Sequence, residues 1–172
     1  AVLGTGSWGT ALAFHLANAG HDVRLWGRDA GLIGEMQLRR ANAVYLPDIT
    51  LPPGVVPTAS LDEALHRADI VVAALPSHGT RAVIRAADPL IPRQALIVSA
   101  TKGLEQDTLL RVSEVIAQEV RGARPVAVLS GPSFAIEVAR GLPTAVAVAC
   151  ADPVLAEDVQ REFRAAYFRL YA

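Results

Sequence analysis

Four short stretches and one isolated arginine carry residue types that bind anions or steady developing charge. Gly4-Thr5-Gly6-Ser7-Trp8-Gly9 follows the apolar Ala1-Val2-Leu3 and leads into Thr10–Ala19. Trp8, Ala11, Leu12, Leu16 and Ala19 recur there at helical spacing, and Gly20 stands where a helix would stop. A strand, a G-x-G-x-x-G turn and a helix in that order form the fingerprint of a dinucleotide site. Gly4 permits the tight turn, Gly6 lets a pyrophosphate approach the backbone, and Gly9 lets the helix pack on the strand. The unpaired N–H groups at the helix start face the anion.

Lys102, in Ser99-Ala100-Thr101-Lys102-Gly103, is the only lysine, and the remaining fifteen of the 16 basic residues are arginines. In so arginine-biased a chain, a lysine beside a glycine points to a need for a compact point charge. It could hold a substrate phosphate or polarise a carbonyl oxygen that becomes an alkoxide on hydride transfer. Ser130-Gly131-Pro132-Ser133-Phe134-Ala135 makes a tight exit, and Ser133 can cap a short helix Phe134–Arg140 or offer its hydroxyl to a ligand. Glu137 in that helix reads as a solvated carboxylate favoured by the helix dipole. His78, in Leu75-Pro76-Ser77-His78, is open to acid–base work or to a plain role at a helix start, with no carboxylate near it in sequence to orient the ring.

An NAD-selective site wants a carboxylate about 20 residues after the glycines. Gly27 stands there instead, followed by Arg28 and Asp29. An arginine beside a small residue suits a 2′-phosphate, because its planar fork binds phosphate oxygens bidentately. Asp29 competes for the ribose but is better read as the N-cap of the next helix. The expected cofactor is therefore NADP or NAD.

Each of these stretches sits at the end of an apolar run. Strands are predicted at Ala1–Leu3, Asp22–Trp26, Val55–Pro57, Ile70–Ala74, Ala95–Ser99 and Val126–Leu129. Helices are predicted at Trp8–Ala19, Ala30–Arg40, Leu61–Arg67, Thr80–Ala87 and Thr108–Val120. Strands apolar enough to be covered on both faces, alternating with helices, specify a parallel α/β sheet. Thereafter come a strand at Thr144–Cys150, a helix at Asp152–Arg164 and a strand at Tyr167–Tyr171, expected to extend one edge, with antiparallel pairing open to them. The fold class is α/β: a Rossmann-type, doubly wound, mostly parallel sheet with extra C-terminal edge strands. Ligands bind such sheets at the carboxyl ends of the strands, where all these stretches lie.

Composition narrows the function. A formal charge of -1 with scattered arginines gives no footprint for nucleic acid. No apolar run approaches the ~18 residues of a membrane span. The lone Cys150 reads as buried filler in a reducing compartment, and no paired Cys/His set suggests a metal. No G-x-x-x-x-G-K-[ST] is present, so a P-loop is excluded. The chain opens inside a strand and closes without punctuation, so further residues are expected on both sides.

With these residues in hand, the chain resembles the N-terminal domain of bacterial NAD(P)-dependent glycerol-3-phosphate dehydrogenases. The resemblance rests on Gly4–Ala13, Leu75–His78, Ala100–Glu105 and Ser130–Ala135 in register, followed by Gly141–Ala145, with the turn Asn42–Asp48 also fitting. It implies that Ser7, Trp8 and Arg28 bind the cofactor and that Ala135 contacts it. Lys102 would touch cofactor and substrate, and Gly131 and Ser133 would line the glycerol phosphate. The implied reaction is hydride transfer between sn-glycerol 3-phosphate and dihydroxyacetone phosphate, feeding phospholipid synthesis in a cytoplasmic enzyme that is a homodimer at full length. The family's proton-transferring lysine lies on a helical C-terminal domain. Residues 1–172 would then be the NAD(P)-binding domain, inactive alone. Other two-domain dehydrogenases (hydroxyacid, ketopantoate or phosphogluconate type) and a non-catalytic dinucleotide-binding module are the alternatives. Lys102 and Ser133 argue against the module, which needs no grip on a substrate phosphate.

Overall fold

A computed structural model describes residues 1–172. The strands are β1 Val2–Leu3, β2 Val23–Trp26, β3 Ala41–Asn42, β4 Leu46–Thr50, β5 Val55–Thr58, β6 Ile70–Ala73, β7 Leu96–Ser99, β8 Val126–Ser130, β9 Thr144–Ala149 and β10 Phe168–Tyr171. The helices are α1 Ser7–Asn18, α2 Ala30–Arg39, α3 Leu61–Leu65, α4 Ser77–Ala87, α5 Val112–Glu119, α6 Ala135–Ala139 and α7 Pro153–Phe163.

Eight strands form one sheet in the order β10-β9-β8-β7-β6-β1-β2-β5. The chain starts at β1, winds outward through β2 to β5, then crosses back to lay β6 on the other side of β1. This reversal of strand order opens a crevice at the carboxyl ends of β1 and β6. From β5 to β8 the sheet is parallel. β9 runs antiparallel to β8, and β10 is parallel to β9, so the expected edge extension is present.

The apolar strands are covered on both faces. In β6, Val72 packs into the layer of α1, α2, α6 and α7, while Val71 and Ala73 pack into the layer of α3, α4 and α5. In β7, Val98 and Ile97 divide the same way. Alternation that is buried on either side leaves no polar face, which is why these strands read as continuous apolar runs.

Three expectations need correction. The turn expected at Asn42–Asp48 is a hairpin of β3 and β4, outside the main sheet. Its second strand, Leu46-Pro47-Asp48-Ile49-Thr50, contains a proline and a positive φ of 64° at Asp48, so it lacks strand periodicity. Helix α5 starts at Val112 rather than Thr108. Leu109 takes a φ of 58°, and a bridge between Leu104 and Arg111 folds the preceding residues into a loop of their own. Cys150 is half-buried at the margin of the core and is not fully enclosed.

Candidate functional site: the mouth of the crevice

The three glycines of the turn differ in what holds them. Gly4 has a φ of 120°, and a Cβ there would lie 2.3 Å from the Ala74 carbonyl oxygen at the end of β6. A Cβ on Gly9 would lie 1.9 Å from the Gly4 oxygen, so α1 packs directly on the turn. Gly6 is different: a Cβ there would meet nothing within 4 Å. The protein itself does not require glycine at this position. A cradle beside the start of α1 that no side chain fills fits the phosphates of a dinucleotide.

Around this turn the structure brings distant residues together. The indole N–H of Trp8 donates to the Ala100 carbonyl at 3.0 Å, tying α1 to the end of β7. The Lys102 ammonium lies 5.4 Å from the centroid of the Trp8 ring, in the range of a cation–π contact. Its Nζ donates to the Gly131 carbonyl at 3.2 Å and to Ser133 Oγ at 3.3 Å. The Ser133 hydroxyl in turn donates to the Gly131 carbonyl at 3.4 Å. Lys102 is exposed, so its charge is held at the mouth and faces solvent. No acidic side chain pairs with it, leaving the positive charge for an incoming oxygen.

Ser133 does not cap α6. That helix runs from Ala135 to Ala139, with Phe134 at its N-cap and no side-chain capping bond. Gly131 has a φ of 146°, and a Cβ would approach Val146 Cα of β9 to 3.2 Å. The antiparallel strand thus closes against the chain exit that presents the Gly131 carbonyl to Lys102. Ala135, the first residue of α6, is half-buried behind the exit.

On the other flank, a Cβ on Gly27 would lie 2.5 Å from Thr5 Oγ1, so the usual acidic position has no room for a side chain. Asp29 caps α2: its Oδ1 accepts from the N–H groups of Gly31 at 2.9 Å and Leu32 at 3.0 Å. Arg28 between them is exposed and makes neither a hydrogen bond nor an ion pair within the protein. His78 is exposed in the first turn of α4.

Sequence reasoning missed the hairpin's part in the site. Asn42 is fully buried; its Nδ2 donates to the Thr5 carbonyl at 2.9 Å and to Thr10 Oγ1 at 2.8 Å, and its Oδ1 accepts from the Tyr45 N–H at 3.1 Å. Ser7 Oγ donates to the Tyr45 carbonyl at 2.6 Å. The hairpin therefore clasps the glycine turn from outside. The available signal was Asn42 itself, an amide at the head of the turn Asn42–Asp48.

A cleft of about 490 Å³ opens at the carboxyl ends of β7 and β8, lined by Ser99, Thr101, Lys102, Gly103, Arg111 and Ser130 among others. A larger cavity of about 790 Å³ lies at the opposite, amino ends of β1, β2 and β6, between Asp22, Arg24, Arg67 and Asp69. The glycine turn and the free cation converge at the carboxyl ends, the end at which open α/β sheets bind ligands.

Comparison with known proteins agrees with this geometry. Residues 1–156 match the family described as NAD-dependent glycerol-3-phosphate dehydrogenase N-terminus. A glycerol-3-phosphate dehydrogenase of Thioalkalivibrio sulfidiphilus, named for NAD(P)+, is 47% identical over 99% of this chain and 51% of its own length. Its namesake from Moorella thermoacetica is 47% identical over 99% of this chain and 50% of its own length. The crystal structure of glycerol-3-phosphate dehydrogenase from Coxiella burnetii superposes with a TM-score of 0.91 at 38% identity, covering 98% of this chain and 51% of that one. The chain thus spans about half the length of the curated relatives it matches. A glycine turn clasped by a hairpin, a lone lysine seated between Trp8 and Ser133, and a family match over most of the chain converge: it belongs to the NAD-dependent glycerol-3-phosphate dehydrogenase N-terminus family.

Proposed function

We propose that residues 1–172 are the NAD(P)-binding half of an oxidoreductase that interconverts sn-glycerol 3-phosphate and dihydroxyacetone phosphate, supplying glycerophospholipid synthesis. The observation that carries this reading is the seating of Lys102. Its ammonium is fixed by the Gly131 carbonyl and Ser133 Oγ, above Trp8, at the carboxyl end of the sheet. When bound, the reduced nicotinamide supplies a hydride for the substrate carbonyl carbon.

Gly4, Gly6 and Gly9 shape the pyrophosphate cradle, and Ser7, Trp8 and Ala135 line the cofactor's path. Arg28 offers its fork to a 2′-phosphate, so that both NADP and NAD are accepted. Lys102 meets the substrate oxygen on which negative charge develops, with Gly131 and Ser133 lining the glycerol phosphate. The proton for that oxygen comes from a lysine of a helical domain that follows this one, so residues 1–172 alone turn nothing over. The complete enzyme is a cytoplasmic homodimer that binds no nucleic acid. No helix of this chain is long and apolar enough to cross a membrane.

The test is Lys102→Met in the full-length enzyme, which keeps much of the stem and removes the charge. kcat/KM for dihydroxyacetone phosphate is expected to fall by roughly two to three orders of magnitude, with the unfolding midpoint nearly unchanged. Turnover near wild type would remove Lys102 from the reaction. Reduction of dihydroxyacetone phosphate by residues 1–172 alone would show that the proton source lies within this chain.

A further inference from the structure

The segment 100–111, which carries Lys102, joins β7 to α5 without regular structure of its own. Two of its residues have positive φ, Gly103 at 93° and Leu109 at 58°. Such a segment holds a side chain in place only where it is tied to the scaffold. One tie precedes Lys102. Thr101 Oγ1 donates to the Ala73 carbonyl at 3.2 Å and accepts from the Leu75 N–H at 3.1 Å, fastening the segment to the end of β6.

The second tie follows Lys102 at Glu105, which is 8% exposed in a segment that is otherwise largely open. Its carboxylate receives both arms of the Arg81 guanidinium of α4, Nε to Oε1 at 2.7 Å and the second nitrogen to Oε2 at 2.8 Å. Thr108 Oγ1 donates to the same Oε2 at 2.6 Å. The Glu105 backbone closes the segment on itself, its N–H donating to the Leu110 carbonyl at 3.0 Å and its own carbonyl accepting from the Leu109 N–H at 2.9 Å. Arg81 has a third bond, to Glu119 Oε1 of α5 at 2.7 Å, so the guanidinium joins the segment to both flanking helices. By contrast, Asp107, the other carboxylate of the segment, is exposed and makes no such bond.

Taking Lys102 to lie at the reaction mouth, as proposed above, we infer that Glu105, gripped by Arg81, is a positioning residue for Lys102. Bidentate pairing fixes direction as well as distance. With Thr101 fastened on one side and Glu105 on the other, the Gly103 turn between them has one course, and Lys102 has one place to stand. Arg85 of α4 supplies an internal contrast. It pairs with Glu119 at 2.8 Å but touches nothing in the segment, so it holds α4 to α5 without holding Lys102.

The experiment compares Glu105→Gln, Arg81→Met and Arg85→Gln in the full-length dehydrogenase, each alone and combined with Lys102→Met. Glu105→Gln and Arg81→Met are expected to lower kcat/KM by roughly tenfold to a hundredfold, the scale of a small misplacement of a reacting group. Neither should lower the residual rate of Lys102→Met further, because both act through that side chain. Arg85→Gln should keep wild-type kcat/KM. Hydrogen exchange at the Glu105 and Leu109 amides should rise in the first two variants and stay low in the third. Where Glu105→Gln fails to fold, Thr108→Val removes one bond to the same carboxylate and should move both readouts the same way by a smaller factor.

Unchanged kcat/KM in Glu105→Gln, or a loss that multiplies with that of Lys102→Met, would overturn the inference. So would unchanged amide exchange. An inert Lys102→Met alongside raised exchange in Glu105→Gln would instead sink the assignment of Lys102 to the reaction and leave the tie itself intact.

Discussion

Gly6 and Arg28 sit on the glycine flank of the crevice, and neither is needed by the fold. A valine at position 6 would have space in the protein alone, because a Cβ there meets nothing within 4 Å. Its side chain would occupy the cradle instead. Gly6→Val in residues 1–172 is therefore expected to raise the Kd of NADH and of NADPH together, by about tenfold or more, or about 1.4 kcal/mol. The far-ultraviolet circular dichroism should stay that of the parent. Unchanged affinity on titration would place the pyrophosphate elsewhere. Arg28→Glu should discriminate, since the reversed charge repels a 2′-phosphate that NADH lacks: its NADPH Kd should rise about tenfold more than its NADH Kd. Equal losses would take Arg28 out of that role.

At the scale of elements, the hairpin of β3 and β4 is held to the glycine turn largely by one amide. Asn42→Ala would leave the Thr5 carbonyl, Thr10 Oγ1 and the Tyr45 N–H short of a partner in a buried place. A loss of about 1–3 kcal/mol in urea unfolding is expected, together with weaker cofactor binding, because the turn loses its outer support. Binding that stays at wild-type strength in a destabilised protein would make the hairpin a purely structural element. The sheet was legible from the sequence because its strands are apolar on both faces and its turns are marked by glycine and proline. Lys102 and Ser133 stood out in the sequence because each lies just beyond the end of an apolar strand. The hairpin was not, since Pro47 and Asp48 break the period that betrays a strand. The pairing of Arg81 with Glu105 was equally hidden, for no local pattern links residues 24 apart on different elements.

The whole molecule answers to pH through groups that fasten its parts together. His15 of α1 is fully buried, accepting at Nδ1 from the Tyr167 hydroxyl at 2.9 Å and donating from Nε2 to the Phe163 carbonyl at 2.6 Å. Burial lowers its pKa below the ordinary 6.5, and the neutral ring with its proton on Nε2 serves both contacts. Below that value the unfolded chain takes up a proton that the folded chain refuses, so stability falls as pH drops through 6.5. A second decline follows at lower pH. The Arg81 fork holds Glu105 at about 2, and Arg85 with Arg81 holds Glu119 at about 2, both from an ordinary 4.5. Their contribution is complete above 4.5 and is lost as pH falls toward 2. Unfolding midpoints measured across this range should show both declines in the parent. His15→Gln should lack the first and keep the second. A first decline that survives the substitution would assign it to another group.

The two tryptophans report on different places in this molecule. Trp26 is 6% exposed, its indole N–H bonded to the Ala59 carbonyl, whereas Trp8 stands half-open beneath the Lys102 ammonium. The light each emits is therefore coloured by its own surroundings, blue-shifted from the interior and sensitive to every occupant at the mouth. Replacing Trp26 with phenylalanine would leave this chain a single lamp, at the mouth proposed above as the meeting point of cofactor and substrate. The crevice then becomes an optical instrument, able to time the arrival of each ligand in turn without any label being attached.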